Sequence, residues 1–215
     1  MEKLDLKKQL KHLYLPSAKA VTVVDVPEMS FLMIDGRVEP GATPGDSKSF
    51  AEAIGALYGL SYTLKFMSKR RAVDPIDYTV MALEGLWRIP ADTSDFTNSG
   101  EWPWTLMMMQ PDHINAEMFA EALNELRRKR EKERRTTESL DRVRFEAFRE
   151  GLSLQIMHVG PYADEPRSIA KLRDFAKEHG YVFHGSHHEI YLGDPRTAKP
   201  ENLKTVLRNA VNPAA

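Results

Sequence analysis

Cysteine is absent from the 215 residues of this chain. Disulfide bonds, thiolate metal ligands and thiol nucleophiles are therefore excluded. The chain also lacks any apolar run near the roughly 18 residues that a membrane-spanning helix needs. Its start, "MEKLDLKKQLKHLY", is charged throughout and has no apolar core of the kind found in signal peptides. We therefore expect a cytoplasmic protein that does not bind membranes.

Neither sign of charge dominates, because the chain contains 30 Lys and Arg residues and 31 Asp and Glu residues. Hydrophobic residues make up 42% and charged residues 28% of the chain, which is typical of an ordinary globular protein. The basic run "RRKREKERR" is interrupted by Glu131 and Glu133, so the solvated end of a helix is preferred over a nucleic-acid contact. No nucleic-acid partner is expected.

The first half of the chain, about residues 21–110, predicts the order strand, helix, strand, strand. "MSFLMIDGRV" predicts a strand over residues 30–38, and apolar residues at helical spacing predict a helix over about residues 49–66. Alternation in "YTVMALEGLW" and "EWPWTLMMMQP" predicts two further strands. Helical spacing in residues 1–20 predicts a short lead helix, which we expect to pack on the surface of the fold.

A long helix over about residues 112–135 is predicted to connect this half to a second one, about residues 142–211. There the order returns as "LSLQIMHVGPY", "EPRSIAKLRDFAKEHG", "HHEIYLG" and "LKTVLRNAV", with an extra strand, "RVRFEAF", expected to pair with the first of these across Glu150 and Gly151. The prediction is a single α+β domain, residues 1–215, of duplicated strand–helix–strand–strand units forming a pseudo-two-fold antiparallel sheet. Helices on one face would leave the other face as an open central groove.

Glu189 and Tyr191 share one face of the predicted strand "HEIYL", while Ile190 and Leu192 share the other. If the aliphatic pair faces the helices, the glutamate and the tyrosine face the groove, where ligand pockets are common. The other residues expected to line such a pocket are Tyr58, Tyr78, Glu84, Trp87, Trp102 and Trp104.

A carboxylate among aromatic rings is poorly solvated, which makes it a stronger base unless a cation or a hydrogen-bond donor stabilises its charge. Glu189 could therefore activate water or bind a cationic ligand, and the spacing fits a surface glutamate paired across the strand equally well. In "HGSHHE", His187 and His188 are adjacent and point to opposite strand faces. No metal site and no cofactor are therefore expected.

Several segments together resemble the GyrI-like small-molecule-binding domain, in the branch that lacks a DNA-binding module. The segments are "FLMIDGRVEP", "AIGALYGLSYTLKF", "YTVMALEGLW", "LQIMHVGPY" and "HHEIYLGDPRTAKPENLKTVLRNAV", and the resemblance covers about residues 4–211. It implies duplicated strand–helix–strand–strand units around a central groove. It also implies that Glu189 lies at the bottom of an aromatic pocket.

The resemblance implies two activities. Related multidrug-sensing regulators bind cationic aromatic drugs at the matching glutamate, and some stand-alone members are hydrolases that open the cyclopropane ring of DNA-alkylating natural products. We expect a hydrolase that detoxifies planar aromatic genotoxins, with Glu189 as the base and Tyr191 or Tyr162 as hydrogen-bond donor to the developing phenolate. Non-catalytic binding of amphipathic cations is the alternative. The expected partner is a hydrophobic aromatic small molecule, and the expected state is a monomer or weak homodimer.

Overall fold

The computed structural model describes residues 3–39, 41–88 and 102–214. Met1 and Glu2 of the predicted lead helix and Glu101 of the predicted third strand lie outside these ranges. The elements in chain order are α1 (Leu6–Gln9), α2 (Lys11–Tyr14), β1 (Thr22–Arg37), α3 (Lys48–Lys69), β2 (Leu83–Trp87), β3 (Pro103–Gln110), α4 (Ala116–Lys132), β4 (Arg144–Val159), α5 (Pro166–Glu178), β5 (Tyr181–Tyr191) and β6 (Lys204–Pro213).

The fold is α+β, as predicted, and strand, helix, strand, strand is the order on both sides of α4. The strands pair antiparallel in the order β1, β3, β2, β5, β6, β4, and β4 returns to β1, so the sheet closes into a barrel. The 16-residue strands β1 and β4 pair from Thr22 opposite Gln155 to Met33 opposite Arg144. This ladder removes the free edges that an open sheet would have. The expectation of an open groove on the face opposite the helices is therefore wrong, because that face is the filled inner side of a closed barrel.

Strand β4 is continuous where the sequence predicts two paired strands. Gly151 has a φ of 74°, a conformation that glycine adopts without steric cost. It pairs with Val26, whereas Arg149 pairs with Glu28. The register of the β1–β4 ladder is the same on both sides of the glycine, so the strand continues through it.

Strand β2 is shorter than predicted, because it begins at Leu83 rather than near Tyr78. Its ladder with β5 starts where Leu83 pairs with Tyr191, the last residue of β5. Tyr78 instead forms an isolated bridge with Leu4. The alternating sequence pattern therefore begins at Tyr78, five residues before the strand itself begins at Leu83.

Both faces of the barrel wall are apolar. Helix α3 covers the outer face of β1 and β3, where Leu57, Leu60 and Leu64 are fully buried, and α5 covers the outer face of β4. The opposite faces of the strands fill the interior of the barrel with a methionine-rich cluster. Its members include Val26, Phe31, Met33, Met81, Met107, Met109, Met157, Ile190 and Val206.

The lead segment helps to close the barrel interior. Leu13 and Tyr14 at the end of α2 are fully buried in the methionine-rich cluster. Nη2 of Arg208 donates to the carbonyl oxygen of Leu13 at 2.6 Å, and Nε2 of Gln155 donates to that of His12 at 2.7 Å. The expectation that this segment packs on the surface is wrong, because the interior of a closed barrel must be filled and the segment supplies apolar side chains there. Among the described residues, no helix has the length and hydropathy to cross a membrane.

Candidate ligand site at the seam of two strands

Strands β2 and β5 pair between the two outer helices, from Leu83 opposite Tyr191 to Trp87 opposite His187. Helix α3 packs on β1 and β3 to one side of this pair, and α5 packs on β4 and β5 to the other. Aromatic and acidic side chains converge on the outer face between them, in what we call the seam site. Its members are Tyr58, Trp87, Tyr162, Glu165, His187, Glu189 and Tyr191.

Glu189 and Tyr191 share a strand face, as predicted, but this face is on the helix side of the sheet. Ile190, between them, is fully buried in the barrel interior. The expectation that the aliphatic residues face the helices is thus reversed. The physical reason is closure of the sheet. A closed barrel has an apolar interior, and Ile190 is buried there.

A chain of hydrogen bonds holds the carboxylate of Glu189. Nε1 of Trp87 donates to the hydroxyl oxygen of Tyr191 at 3.0 Å, and this hydroxyl donates to Oε2 of Glu189 at 2.7 Å. Nε2 of His187 lies 3.5 Å from Oε1 of the same glutamate. The Glu189 side chain is 16% exposed, so it is partly desolvated and still accessible to a small molecule.

The chain of hydrogen bonds depends on a glycine. A Cβ atom at Gly85 would lie 3.0 Å from Nε1 of Trp87 and 3.1 Å from the hydroxyl oxygen of Tyr191. Glycine therefore allows both polar side chains to cross the backbone of β2 closely. Burial, followed by the charge of Glu189, raises the pKa of Tyr191 well above its usual value, so Tyr191 keeps the proton that it donates to Glu189.

Glu165 is a second carboxyl at the seam site, and no sequence motif singles it out. The residue is 6% exposed and precedes α5, but its side chain does not cap that helix. Burial, followed by the charge of Glu189, raises the pKa of Glu165 to about 9, and the Thr205 hydroxyl acts in the opposite direction. Glu165 is therefore a neutral carboxylic acid at physiological pH. A Glu before Pro is an ordinary helix start, so the sequence pattern gives no sign of its burial.

Aromatic rings lie beside the two carboxyls. The ring of Tyr162 packs edge-on against that of Tyr191, with centroids 6.0 Å apart, and Phe50 of α3 stacks on Trp87 at 5.7 Å. Burial raises the pKa of Tyr162 to about 12, with Glu165 as the next cause. Burial, Tyr62 and then Asp194 raise the pKa of Tyr58, which places this ring near the connection between β5 and β6.

Two other aromatic residues expected at the site, Tyr78 and Trp104, lie in the core beneath α3. Tyr78 is 1% exposed and packs edge-on against His113 in the core beneath α3, with ring centroids 5.6 Å apart. Trp104 is fully buried in the same core, edge-on to Phe50 at 5.4 Å. Trp102 is partly buried and directly precedes β3. Tyr78 and Trp104 therefore serve packing. Trp87 and Tyr162 lie beside the Tyr191–Glu189 pair, and Tyr58 lies near Asp194.

Glu84 lies inside the barrel, in a network of buried charges. The hydroxyl of Tyr14 donates to Oε1 of Glu84 at 2.9 Å, and Nε2 of His188 donates to Oε2 at 3.0 Å. Nδ1 of His188 donates to Oε2 of Glu150 at 2.9 Å, and Nη1 of Arg208 donates to that oxygen at 3.2 Å. Burial opposes protonation of His188, but Glu150 and Glu84 prevail and raise its pKa to about 9. Two acids and two bases thus balance each other.

Among the described residues, no group of three or more His, Asp and Glu side chains is placed to hold a metal. A surface depression of about 250 Å³ lies against α5, beside His158, Arg167 and Lys171. Neither a carboxylate nor an aromatic ring of Phe, Tyr or Trp lines it, so the seam site is the better candidate for binding planar ligands.

A helix-flanked barrel whose outer seam gathers aromatic rings around buried carboxyls has the construction of a small-molecule-binding domain. The family of the GyrI-like small molecule binding domain matches residues 19–208. The chain belongs to the GyrI-like family, as the sequence segments predict.

Solved structures share this fold along the whole chain. An uncharacterized conserved protein from Listeria innocua is 35% identical, with a TM-score of 0.84 over 98% of this chain and 100% of that one. A hydrolase from Listeria innocua is 34% identical, with a TM-score of 0.80 and the same coverage. The C-terminal domain of EcmrR, 10% identical with a TM-score of 0.52 over 90% of this chain and 98% of that one, shares the fold alone. None of the curated proteins compared with the chain matches it.

Proposed function

We propose that the protein is a hydrolase that opens the cyclopropane ring of planar aromatic genotoxins at the seam site. The observation that carries this proposal is the environment of Glu189. Its carboxylate accepts the Tyr191 hydroxyl at 2.7 Å, its side chain is 16% exposed, and aromatic rings lie beside it. The similar hydrolase from Listeria innocua supports hydrolysis. Planar rings of a substrate would pack against Tyr58, Trp87 and Tyr162.

In the proposed reaction, Glu189 accepts a proton from a water molecule as the water oxygen bonds to a methylene carbon of the strained ring. The carbon–carbon bond of the ring breaks, and its electron pair moves into the conjugated carbonyl of the substrate. The carbonyl oxygen becomes a phenolate and takes up a proton, so the net reaction adds one water. General-base catalysis of this kind contributes about 10²–10⁴-fold to the rate.

Tyr191 and Trp87 orient the base in this mechanism. The hydroxyl of Tyr191 donates to Oε2 of Glu189 and accepts from Trp87, so this oxygen is fixed. Oε1, which lies 3.5 Å from Nε2 of His187, would accept the proton from water. Tyr162 is 39% exposed and retains its proton, because burial of the rest of its side chain raises its pKa to about 12. Its hydroxyl would stabilise the developing phenolate as a hydrogen-bond donor.

We also propose that the two strand–helix–strand–strand halves are structural copies and that the seam lies between them. Strand β2 follows α3 in the first half, β5 follows α5 in the second, and these two strands pair with each other. A ligand at the seam would therefore contact both halves, in a cytoplasmic protein that removes genotoxic compounds.

The test uses the variant Glu189→Gln and a cyclopropane-bearing DNA alkylator, with substrate loss and hydrated product followed by mass spectrometry. We expect binding, measured by calorimetric titration, to persist while turnover falls about a hundredfold or more. Glu178→Gln, at an exposed glutamate in the last turn of α5, is the matched control. Wild-type turnover in the Glu189 variant would refute the mechanism.

A second function, binding of amphipathic cations, is favoured by the carboxylate of Glu189 standing among rings, where a cation gains both charge pairing and cation–π contact. In that case the wild-type protein consumes no alkylator. Glu189→Gln should then weaken the binding of a cationic aromatic dye and leave the binding of a neutral dye of the same shape unchanged. Equal loss for both dyes would argue against this function.

A further inference from the structure

Ring opening requires a proton at the carbonyl oxygen of the substrate, and the hydroxyl of Tyr191 does not offer one. Its proton is directed to Glu189 at 2.7 Å, and its oxygen accepts the indole N–H of Trp87 at 3.0 Å. Loss of that proton would leave a phenolate beside a carboxylate, which is costly in a buried site. Tyr162 would donate a hydrogen bond to the same oxygen but keeps its proton, because its pKa is raised to about 12. Another group must therefore serve as the acid.

Glu165 lies at the start of α5 without capping that helix. A carboxylate at a helix start normally accepts backbone N–H groups, but the Glu165 side chain makes no capping bond to α5. Its Oε1 atom is buried, and no hydrogen-bond partner for it occurs in the part of the chain that the structure describes. An unsatisfied buried polar group costs about 1–3 kcal/mol, so the fold tolerates this carboxyl rather than gaining stability from it.

We infer that Glu165 is the catalytic acid of the seam site, protonating the carbonyl oxygen of the substrate while Glu189 takes a proton from water. This inference rests on the proposed function. It assigns a residue to the proton that the carbonyl oxygen of the substrate gains as the ring opens.

The surroundings of Glu165 keep it protonated. The charge of Glu189 acts on Glu165 directly, and Tyr162 and Tyr191 are the other titratable groups that interact with it. Asp194 acts on Tyr162, and His187 lies 3.5 Å from Glu189. Burial and the charge of Glu189 raise the pKa of Glu165 to about 9. Two carboxyls that share a partly dry site do not both ionise.

Proton transfer returns the pair to its starting state. After ring opening, Glu189 carries the proton taken from water and Glu165 has lost its own to the new phenol. Transfer of one proton from Glu189 to Glu165, directly or through solvent, restores acid and base. The overall change is addition of one water to the substrate.

The experiment compares Glu165→Gln with wild type and with the control Glu178→Gln on the same cyclopropane-bearing alkylator. We expect kcat/KM to fall about 10- to 100-fold and the decline of the wild-type rate near pH 9 to disappear. Glu165→Asp, which keeps the acid, should retain that decline. An active wild type whose rate and pH profile survive Glu165→Gln overturns the inference alone, whereas a wild type that consumes no substrate overturns the proposed function itself.

A measurement that does not require turnover tests the protonation of Glu165 in the wild-type protein directly. The infrared difference spectrum of wild type against Glu165→Gln should contain the band of a protonated carboxylic acid at pH 7, and the band should be lost above about pH 9. The same spectrum of Glu178→Gln should lack it. Absence of the band from the Glu165 difference spectrum at pH 7 overturns the inference even in an active enzyme.

Discussion

His188 and Glu189 are neighbours on β5, yet their side chains lie on opposite faces of the barrel wall. His188 is 1% exposed and bridges Glu84 and Glu150 in the interior. Glu189 is 16% exposed and accepts the hydroxyl of Tyr191 outside. The interior network therefore holds the same strand that carries the proposed base.

Replacement of His188 by Ala should destabilise the protein by about 3–5 kcal/mol, because it leaves two buried carboxylates without their shared partner. The free energy of unfolding in urea measures the effect. The control, His184→Ala, changes an exposed histidine on the same strand and should cost no more than about 0.5 kcal/mol. Equal stability of the two variants would contradict the prediction.

The stabilisation by His188 should depend on pH. The pKa of His188 is about 9 in the folded protein against 6.5 for an unperturbed histidine, so the native state holds the extra proton between these values. The free energy of unfolding should therefore fall as pH rises from 6.5 through 9. The difference in stability between wild type and His188→Gln, measured across this range, should shrink. A constant difference would mean that the imidazole is not charged in the barrel.

The order of elements could be predicted from sequence because it depends on local signals. Alternation reveals that Glu189 and Tyr191 share a face, and Pro166 with Gly180 brackets α5 between Pro166 and Glu178. The family resemblance was equally visible in contiguous segments, and the family match confirms it. Local patterns do not specify which face of a strand is covered, since Ile190 could pack equally well against a helix or inside a barrel.

The facing of β5 follows from pairing over long sequence distances. Closure depends on contacts between β1 and β4, more than a hundred residues apart, and these place Ile190 and Glu84 inside. Glu165 could not be predicted for the same reason. Its burial and raised pKa come from Glu189 and from its position beside β6, which no spacing around Pro166 encodes.

Gly85→Ala should reduce turnover without unfolding the protein. The added methyl group would lie 3.0 Å from Nε1 of Trp87 and 3.1 Å from the hydroxyl oxygen of Tyr191, so one side chain must shift and the hydrogen bond between them must lengthen. We expect a loss of about tenfold in kcat, as for one hydrogen bond of about 1.4 kcal/mol. The control, Gly55→Ala, has no atom within 4 Å of the new Cβ and should stabilise α3 by about 0.5–1 kcal/mol. Full activity of Gly85→Ala would show that the bond is dispensable.

Tyr191→Phe tests the orientation of the base separately from the aromatic wall. The variant keeps the ring that packs against Tyr162 and removes the hydroxyl that donates to Glu189. A hydrogen bond to a charged group contributes about 1.5–3 kcal/mol, so kcat should fall about 10- to 100-fold while KM changes little. Tyr62→Phe, at an exposed tyrosine of α3, should match wild type in steady-state kinetics. A change confined to KM would assign Tyr191 to ligand binding instead.

Glu165→Gln should stabilise the protein at neutral and alkaline pH even though it impairs catalysis. The folded pKa of about 9 exceeds the unperturbed value of 4.5, so the native state keeps a proton that the unfolded chain releases between these pH values. Stability therefore falls with rising pH in this window, and an amide, which does not ionise, escapes the loss. Each unit of pKa difference corresponds to about 1.4 kcal/mol, so the gain at pH 8 should reach at least about 1 kcal/mol and vanish near pH 4. Urea unfolding at both pH values, with Glu178→Gln as control, measures it. If the variant is less stable than wild type at pH 8, Glu165 is a paired structural carboxylate. If the variant is more stable, the glutamate costs the fold stability and is retained for its chemistry.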